Sequence, residues 1–341
     1  MKVLFVGLGS IGQRHLRNFK EISNDTDEIY AFRKTNNNLV IIDGDAKKVD
    51  SLEEFYGINC VSSLNEGLEL KPDIVFITNP SSFHLDIAIR AAKSNCNLFI
   101  EKPLSNSLKN INRLKNILEE KELTAIVAYQ TKFNPCFSIV KDIIDTKKFG
   151  NIVSANFEWG TFLPDHHPYE DFRKSYAARK DLGGGVILGL SHEIDLIRSF
   201  FGMPDNIRTI DCNYTQLDLD VEDTAKIEMD YSFSDSYFKV KLYLSYAQKN
   251  EERFFDIEFN HASLRCNLIK NEIEVNFKGD KSPQVISFPK LDRNELFKEE
   301  LKEFISSIKR KENNLESFTY GVETLNLCTQ ILKQINVRIT K

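Results

Sequence analysis

Short apolar runs separated by polar stretches of helical period fill the first 128 residues. Residues 3–6, 28–32, 73–78, 97–101 and 124–128 read as strands, and 39–42 as an additional short one. Segments 11–20, 48–56, 82–94 and 107–121 carry apolar residues at helical spacing. Such alternation predicts βαβ units with right-handed crossovers on a parallel sheet. After about residue 130 the pattern changes. A helix is predicted over 134–147. Longer strands follow over 151–160, 206–215, 223–233, 237–246, 253–260, 262–269 and 271–277, several alternating apolar and polar positions as in an antiparallel sheet with one solvated face. One unbroken helix is predicted over 185–201, and two more over 294–311 and 320–334. The expectation is an α/β chain in two parts. Residues 1–128 form a parallel-sheet domain, and residues 129–341 an α+β domain with a mostly antiparallel, open-faced sheet. The last helix is placed to pack back on the first domain.

The first strand runs into Gly7-Leu8-Gly9-Ser10-Ile11-Gly12, a G-x-G-x-x-G between a strand and a helix. Gly7 permits a tight turn, Gly9 admits a pyrophosphate to the backbone, and Gly12 lets helix and strand pack closely. The phosphates then sit at a helix N-terminus, where free N–H groups and the helix dipole favour anions. The first domain is therefore expected to be a Rossmann dinucleotide-binding domain, with Ser10 and Ile11 also at the cofactor. Where an NAD site carries an acid for the ribose, the end of the second strand holds Arg33 and Lys34. That pair suits the 2′-phosphate of NADP. If these charges are only solvated, Asp43 or Asp45 becomes the ribose partner and NAD the cofactor.

Thr78-Asn79-Pro80 ends one strand and Glu101-Lys102-Pro103 ends the next. Ligands of open α/β sheets bind outside the carboxyl ends of strands, so Thr78, Asn79, Pro80, His84, Glu101, Lys102 and Gln130 are expected around the nicotinamide. A desolvated lysine can exchange a proton with a substrate hydroxyl, which makes Lys102 the catalytic candidate. A second unusual segment is Asp181-Leu-Gly-Gly-Gly-Val-Ile-Leu-Gly-Leu-Ser-His192-Glu-Ile-Asp195. Its glycine run is expected to let backbone approach a ligand, and Gly189 to leave room for substrate. His192 and Asp195 lie three apart on one helix face. His192 is the second catalytic candidate, and Asp195 is placed at the substrate or as an orienting carboxylate.

These motifs, with Tyr129-Gln130-Thr131-Lys132-Phe133-Asn134-Pro135, resemble the glucose-fructose oxidoreductase / inositol dehydrogenase / MocA family across both domains. The resemblance implies that Lys102 and His192 flank a sugar or cyclitol beside the nicotinamide. It also implies a homodimer or homotetramer built on the second sheet. One departure stands out. Many family dehydrogenases carry an aspartate four residues before the histidine, where this chain has Leu188. A non-catalytic NADP-binding regulator, and an epimerase or lyase with a retained cofactor, are therefore the alternatives to a dehydrogenase. The loop 165–180 is dense in polar and aromatic groups. Arg173, Tyr176, Arg179 and Lys180 are expected to bind substrate hydroxyls or an anionic group, which favours a nucleotide-activated or acidic sugar.

Composition narrows the class. A net charge of -5 and a pI near 5.8 give no electrostatic footprint for nucleic acid. No apolar run reaches the roughly 18 residues of a membrane span. No signal-peptide pattern precedes the first strand, so a cytoplasmic enzyme is expected. No two of the six cysteines are closer than 36 residues, which leaves no C-x-x-C motif. His166, His167, His192 and Asp165 fit no compact metal spacing, and no metal is expected.

Overall fold

A computed structural model describes residues 1–24, 26–34, 37–42, 44–213, 217–233, 236–312 and 315–339. The candidate ribose partner Asp43 and the loop residue Thr35 lie outside them. Strands β1 (Lys2–Val6), β2 (Glu28–Phe32), β5 (Asn59–Val61), β6 (Ile74–Ile77), β7 (Asn97–Glu101) and β8 (Ala125–Ala128) form one sheet in the order β5-β2-β1-β6-β7-β8, parallel throughout. A separate hairpin, β3 (Leu39–Ile42) with β4 (Asp45–Lys48), packs beside helix α1 (Ser10–Ile22). Gln13 fixes it there, donating to the Leu39 carbonyl and accepting from Ile41 N. Helices α2 (Leu52–Tyr56), α3 (Leu64–Glu69), α4 (His84–Lys93) and α5 (Ile111–Glu120) complete this part.

β1, β6 and β7 are apolar on both faces because helices cover both. Val3, Phe5, Phe76 and Phe99 face one core together with Leu16 and Phe19 of α1. The same core takes Leu301, Phe304 and Ile305 from helix α9 (Arg293–Lys309), far along the chain. Phe5 stacks on Phe76 at 4.3 Å, and Phe99 meets Phe304 edge-on at 5.5 Å. Helix α10 (Glu316–Ile339) lies on β8. A Cβ on Gly321 would overlap the Val127 side chain, so the two elements touch at backbone distance. Two helices, rather than the last alone, thus return to the first sheet.

Helix α6 (Pro135–Asp145) leads into a sheet ordered β10-β11-β12-β9-β13-β14-β15-β16. Its strands are β9 (Ile152–Phe162), β10 (Asn206–Asn213), β11 (Thr224–Phe233), β12 (Ser236–Ser245), β13 (Ala247–Phe259), β14 (Ala262–Asn267), β15 (Glu272–Phe277) and β16 (Gln284–Ser287). Only the β12–β9 pair is parallel among those described. The sequence pattern missed β4 and β16 because all four residues of each are exposed, which leaves no apolar alternation to read.

The helix expected over 185–201 is two helices, α7 (Val186–Gly189) and α8 (His192–Phe201). The amide of Glu193 bonds back to the Leu190 carbonyl rather than to that of Gly189. The Gly189 carbonyl is thereby left for a side chain from the other sheet.

Candidate active site

The glycine loop is built for close packing on one side and open space on the other. Gly7 has φ 102°, and a Cβ there would come within 2.9 Å of the Asn79 amide. At Gly12 a Cβ would meet the Gly7 carbonyl and Thr78 Oγ1. Thr78 ties this contact by donating to the Gly7 carbonyl at 2.7 Å. A Cβ on Gly9 would touch nothing within 4 Å. That opening, with Ser10 and Ile11 in the first turn of α1, fits a dinucleotide pyrophosphate. Beside it, Asn79 Oδ1 is buried with no hydrogen-bond partner among the described residues, as an acceptor awaiting a ligand hydroxyl would be.

His84 stands behind this loop rather than in it. Its ring nitrogens lie 2.9 Å from the Pro103 carbonyl and 2.6 Å from the Asn79 carbonyl. The residue is buried, so the cofactor contact expected of it is replaced by a strut joining the two strand ends. Glu101 is also buried. Its carboxylate pairs with His15 Nε2 at 2.7 Å and accepts from the Lys102 amide at 3.0 Å. Gln130 is buried in the turn after β8.

Arg33 is not a free cation. It pairs with Glu53 at 2.8 Å and donates to the Asn37 carbonyl and Asn38 Oδ1. Glu53 is held down to about 2 against the raising effect of burial, by hydrogen bonds from Cys60, its own backbone and Ser51 and by the Arg33 charge. Lys34 is exposed, as is Asp45.

At the reacting end, Lys102 Nζ donates to the Gly189 carbonyl at 2.6 Å. Burial lowers its pKa to about 8, Arg293 and Arg253 push the same way, and Glu101 and Glu193 oppose them. His192 is buried, with Nδ1 3.4 Å from Thr131 Oγ1 and its ring against Tyr129 and Trp159. Its pKa is held well below the ordinary value by burial and then by the charges of Lys102, Arg253 and Arg293. The imidazole is therefore neutral. Lys102 follows β7 of the first sheet and His192 opens α8, and the Lys102 charge acts on the imidazole.

The glycine run behaves differently from expectation. A Cβ on Gly184 would press on the Tyr176 and Ala177 carbonyls, and one on Gly185 on the buried carboxyl of Glu222. Likewise, Gly189 leaves room for Tyr246 Oη rather than for substrate. These glycines serve packing of the protein against itself. Asp195 also turns away from the cleft. Its carboxylate accepts from Thr324 of α10 at 3.0 Å and faces Arg198 at 3.5 Å, so it joins α8 to α10 and is removed from the substrate-facing set.

Of the loop candidates, Arg179 is bound to Asp181 through two nitrogens, and Arg173 lies 3.8 Å from Asp171. Lys180 is exposed. These three do not join the cleft. Tyr176 is exposed on its outer side, and desolvation of its phenol followed by the Glu101 charge pushes its pKa up to about 12. Within the loop the Tyr169 phenol bonds His167 Nδ1 at 2.7 Å, and Ser10 at the cofactor end works against the rise that burial gives its pKa.

Three groups at the reacting end, Arg253, Glu193 and Arg293, were missed from sequence, and a fourth, His166, was weighed there only as a metal ligand. Arg253 of β13 binds Glu193 at 2.6 Å and lies over Trp159 at 4.1 Å. Burial raises the Glu193 pKa, and its second oxygen has no hydrogen-bond partner among the described residues. Arg293 opens α9. His166 bonds Thr161, and burial drops its pKa to about 4. Nothing local marks these residues; they meet only in the folded chain.

Comparison with known proteins adds independent findings. Residues 1–129 match the family model described as an oxidoreductase family with an NAD-binding Rossmann fold, and residues 137–264 match that of the GFO/IDH/MocA C-terminal domain. The oxidoreductase YhhX of Escherichia coli K12 is 23% identical over 304 residues, covering 86% of this chain and 84% of that protein. Levoglucosan dehydrogenase in complex with NADH and levoglucosan superposes with a TM-score of 0.78 at 17% identity, over 98% of this chain and 96% of that one. UDP-N-acetylglucosamine 3-dehydrogenase from Acidithiobacillus ferrooxidans gives 0.75 at 17% identity, over 98% and 97%.

Proposed function

The chain belongs to the glucose-fructose oxidoreductase / inositol dehydrogenase / MocA family of NAD(P)-dependent oxidoreductases, and from that premise we propose that it oxidises or reduces one carbon of a sugar, cyclitol or nucleotide-sugar derivative. The observation that carries this reading is Lys102, an amine with a lowered pKa at the end of β7, bonded to the Gly189 carbonyl just before α8, with its charge acting on the buried His192 that opens that helix. The two dehydrogenases of similar fold, whose names specify a sugar anhydride and a nucleotide sugar, support the substrate class.

The nicotinamide, when bound, supplies the hydride acceptor or donor. Gly7, Gly9, Ser10, Ile11 and Gly12 hold the pyrophosphate, and Asn79 Oδ1 accepts from a ribose hydroxyl. In oxidation the substrate carbon gives up its hydride while Lys102 Nζ takes the hydroxyl proton, so alcohol becomes carbonyl with charge balanced. His192 donates to the developing oxyanion and orients it. Neither role needs a carboxylate at Leu188. Arg33 and Lys34 favour NADP over NAD, with Arg33 exchanging Glu53 for the 2′-phosphate. The outer face of the second sheet presents Glu158, Lys226, Glu228, Lys241 and Arg265 around an open depression of about 480 Å³, and this face is assigned to self-association.

The test is turnover by wild type and Lys102→Ala on a panel of sugars, cyclitols and nucleotide sugars, with NADPH and NADH binding followed by nicotinamide fluorescence. Lys102→Ala should bind cofactor and lose about 100-fold or more in kcat. Full turnover by Lys102→Ala on a substrate used by the wild type would overturn the assignment.

A further inference from the structure

One hydroxyl joins the candidate histidine to an arginine from another strand. His192 Nδ1 lies 3.4 Å from Thr131 Oγ1, and Arg253 Nη2 donates to that same oxygen at 3.4 Å. Thr131 is buried in the turn after β8, and Arg253 belongs to β13. The arginine is fixed at two further points. Its Nε donates to Glu193 Oε1 at 2.6 Å, and its guanidinium carbon lies 4.1 Å from the centre of the Trp159 ring. Glu193 follows His192 directly in the chain, so Arg253 grips the turn that carries the imidazole. The rings of Tyr129 and Trp159, at 5.5 and 6.0 Å between centres, confine the imidazole from two sides.

The donor inventory decides which way the protons run. A guanidinium only donates, so Thr131 Oγ1 is the acceptor in its bond with Arg253. The single hydroxyl proton of Thr131 is then available for one further bond. Were Nδ1 of His192 also a donor, the hydroxyl would accept twice, and its own proton would find no acceptor among the described residues. A buried donor left unpaired is unfavourable. With Thr131 donating to Nδ1, both bonds form. Burial keeps the imidazole neutral, and a neutral imidazole carries one proton. That proton then sits on Nε2, on the side of the ring away from Thr131. We infer that Arg253, acting through Thr131, sets His192 in its Nε2–H tautomer, so that Nε2 is the nitrogen that donates to the substrate oxygen. Thr131 thereby supplies the orienting group that the apolar side chain of Leu188 cannot. Arg253 and Thr131 are positioning residues in this scheme. Donation to substrate rests on the dehydrogenase reading, whereas the tautomer does not.

The test is long-range proton–nitrogen correlation NMR of protein carrying isotope-labelled histidine, cofactor-free and with NADPH. Such spectra separate protonated from bare ring nitrogens of a neutral imidazole, and the signal lost in His192→Asn identifies the residue. Wild type should show a protonated Nε2 and a bare Nδ1. Thr131→Val, which removes the hydroxyl, and Arg253→Met, which removes the donors, should both shift the proton towards Nδ1. Thr131→Ser should keep the wild-type pattern. On a turned-over substrate, Thr131→Val should lose about tenfold or more in kcat with KM little changed, as expected when one donor to the oxyanion is misaimed. A proton on Nδ1 in wild type would overturn the inference whether or not the variants fold. So would a pattern unchanged in Thr131→Val or in Arg253→Met. Nε2–H in wild type, with no turnover of any sugar, cyclitol or nucleotide sugar, would instead count against the dehydrogenase reading and leave the tautomer assignment supported.

Discussion

Lys102 and Gly189 are 87 residues apart in the chain, yet the lysine ammonium donates to the glycine carbonyl at 2.6 Å. The bond exists because α7 and α8 break between them and release that carbonyl from the helical ladder. It locates the candidate base at the end of β7 by the backbone of α7.

Gly189→Ala should disturb this contact from behind. The new methyl would overlap Tyr246 Oη, which has no space to retreat in a fully buried ring. Overpacking of this kind costs about 1–3 kcal/mol. Thermal unfolding should show the loss, and the double variant Gly189→Ala, Tyr246→Phe should recover much of it. Equal destabilisation in single and double variants would count against the contact.

Activity should titrate with Lys102. Its pKa is lowered to about 8 by burial, with help from Arg293 and Arg253. Oxidation needs the free amine, so kcat/KM in that direction should rise as pH increases through about 8 and then level off. Reduction needs the ammonium and should fall over the same range. His192 is neutral throughout and adds no inflection near neutrality. Steady-state profiles in both directions check the sign, and matching profiles would contradict it.

Cofactor choice should respond to the Arg33–Glu53 pair. Glu53→Gln removes the competing carboxylate, so affinity for NADP should rise about fivefold or more relative to NAD. Arg33→Ala should weaken NADP and leave NAD little changed. Fluorescence titration with both reduced cofactors reads the ratio. An unchanged ratio in both variants, or tighter NAD than NADP binding by wild type, would place the 2′ position elsewhere.

His84→Ala should loosen both strand-end loops at once. Removing the ring leaves the buried Asn79 and Pro103 carbonyls without it, at a cost of about 1–3 kcal/mol. Weaker dinucleotide binding should accompany the lower melting temperature, although the ring does not reach the ligand. Full cofactor affinity in a destabilised variant would limit His84 to stability alone.

Local patterns carried much of this structure. The buried strands of the first sheet were readable because residues such as Ile74–Ile77 are apolar on both faces. The glycine loop and Lys102 were readable because their spacing ties them to strand ends. The break before His192 was not, since the apolar spacing of 185–201 continues through it and the lysine that takes the freed Gly189 carbonyl comes from the far end of β7. Arg253 was hidden for the same reason: it looks like an ordinary surface charge until β13 brings it to Glu193 and Thr131. Arg173 and Arg179 misled in the opposite sense. Their acids lie two residues away, and local pairing outweighs what their density in the loop suggested.

The seating of Leu301, Phe304 and Ile305 beneath Phe99 and Phe76 sets an order for biogenesis. As the chain leaves the ribosome, the nucleotide-binding sheet emerges first but keeps one oily flank uncovered until residues about 170 positions beyond β8 have been made. A truncated nascent chain should therefore hold chaperones along that flank and release them when α9 docks.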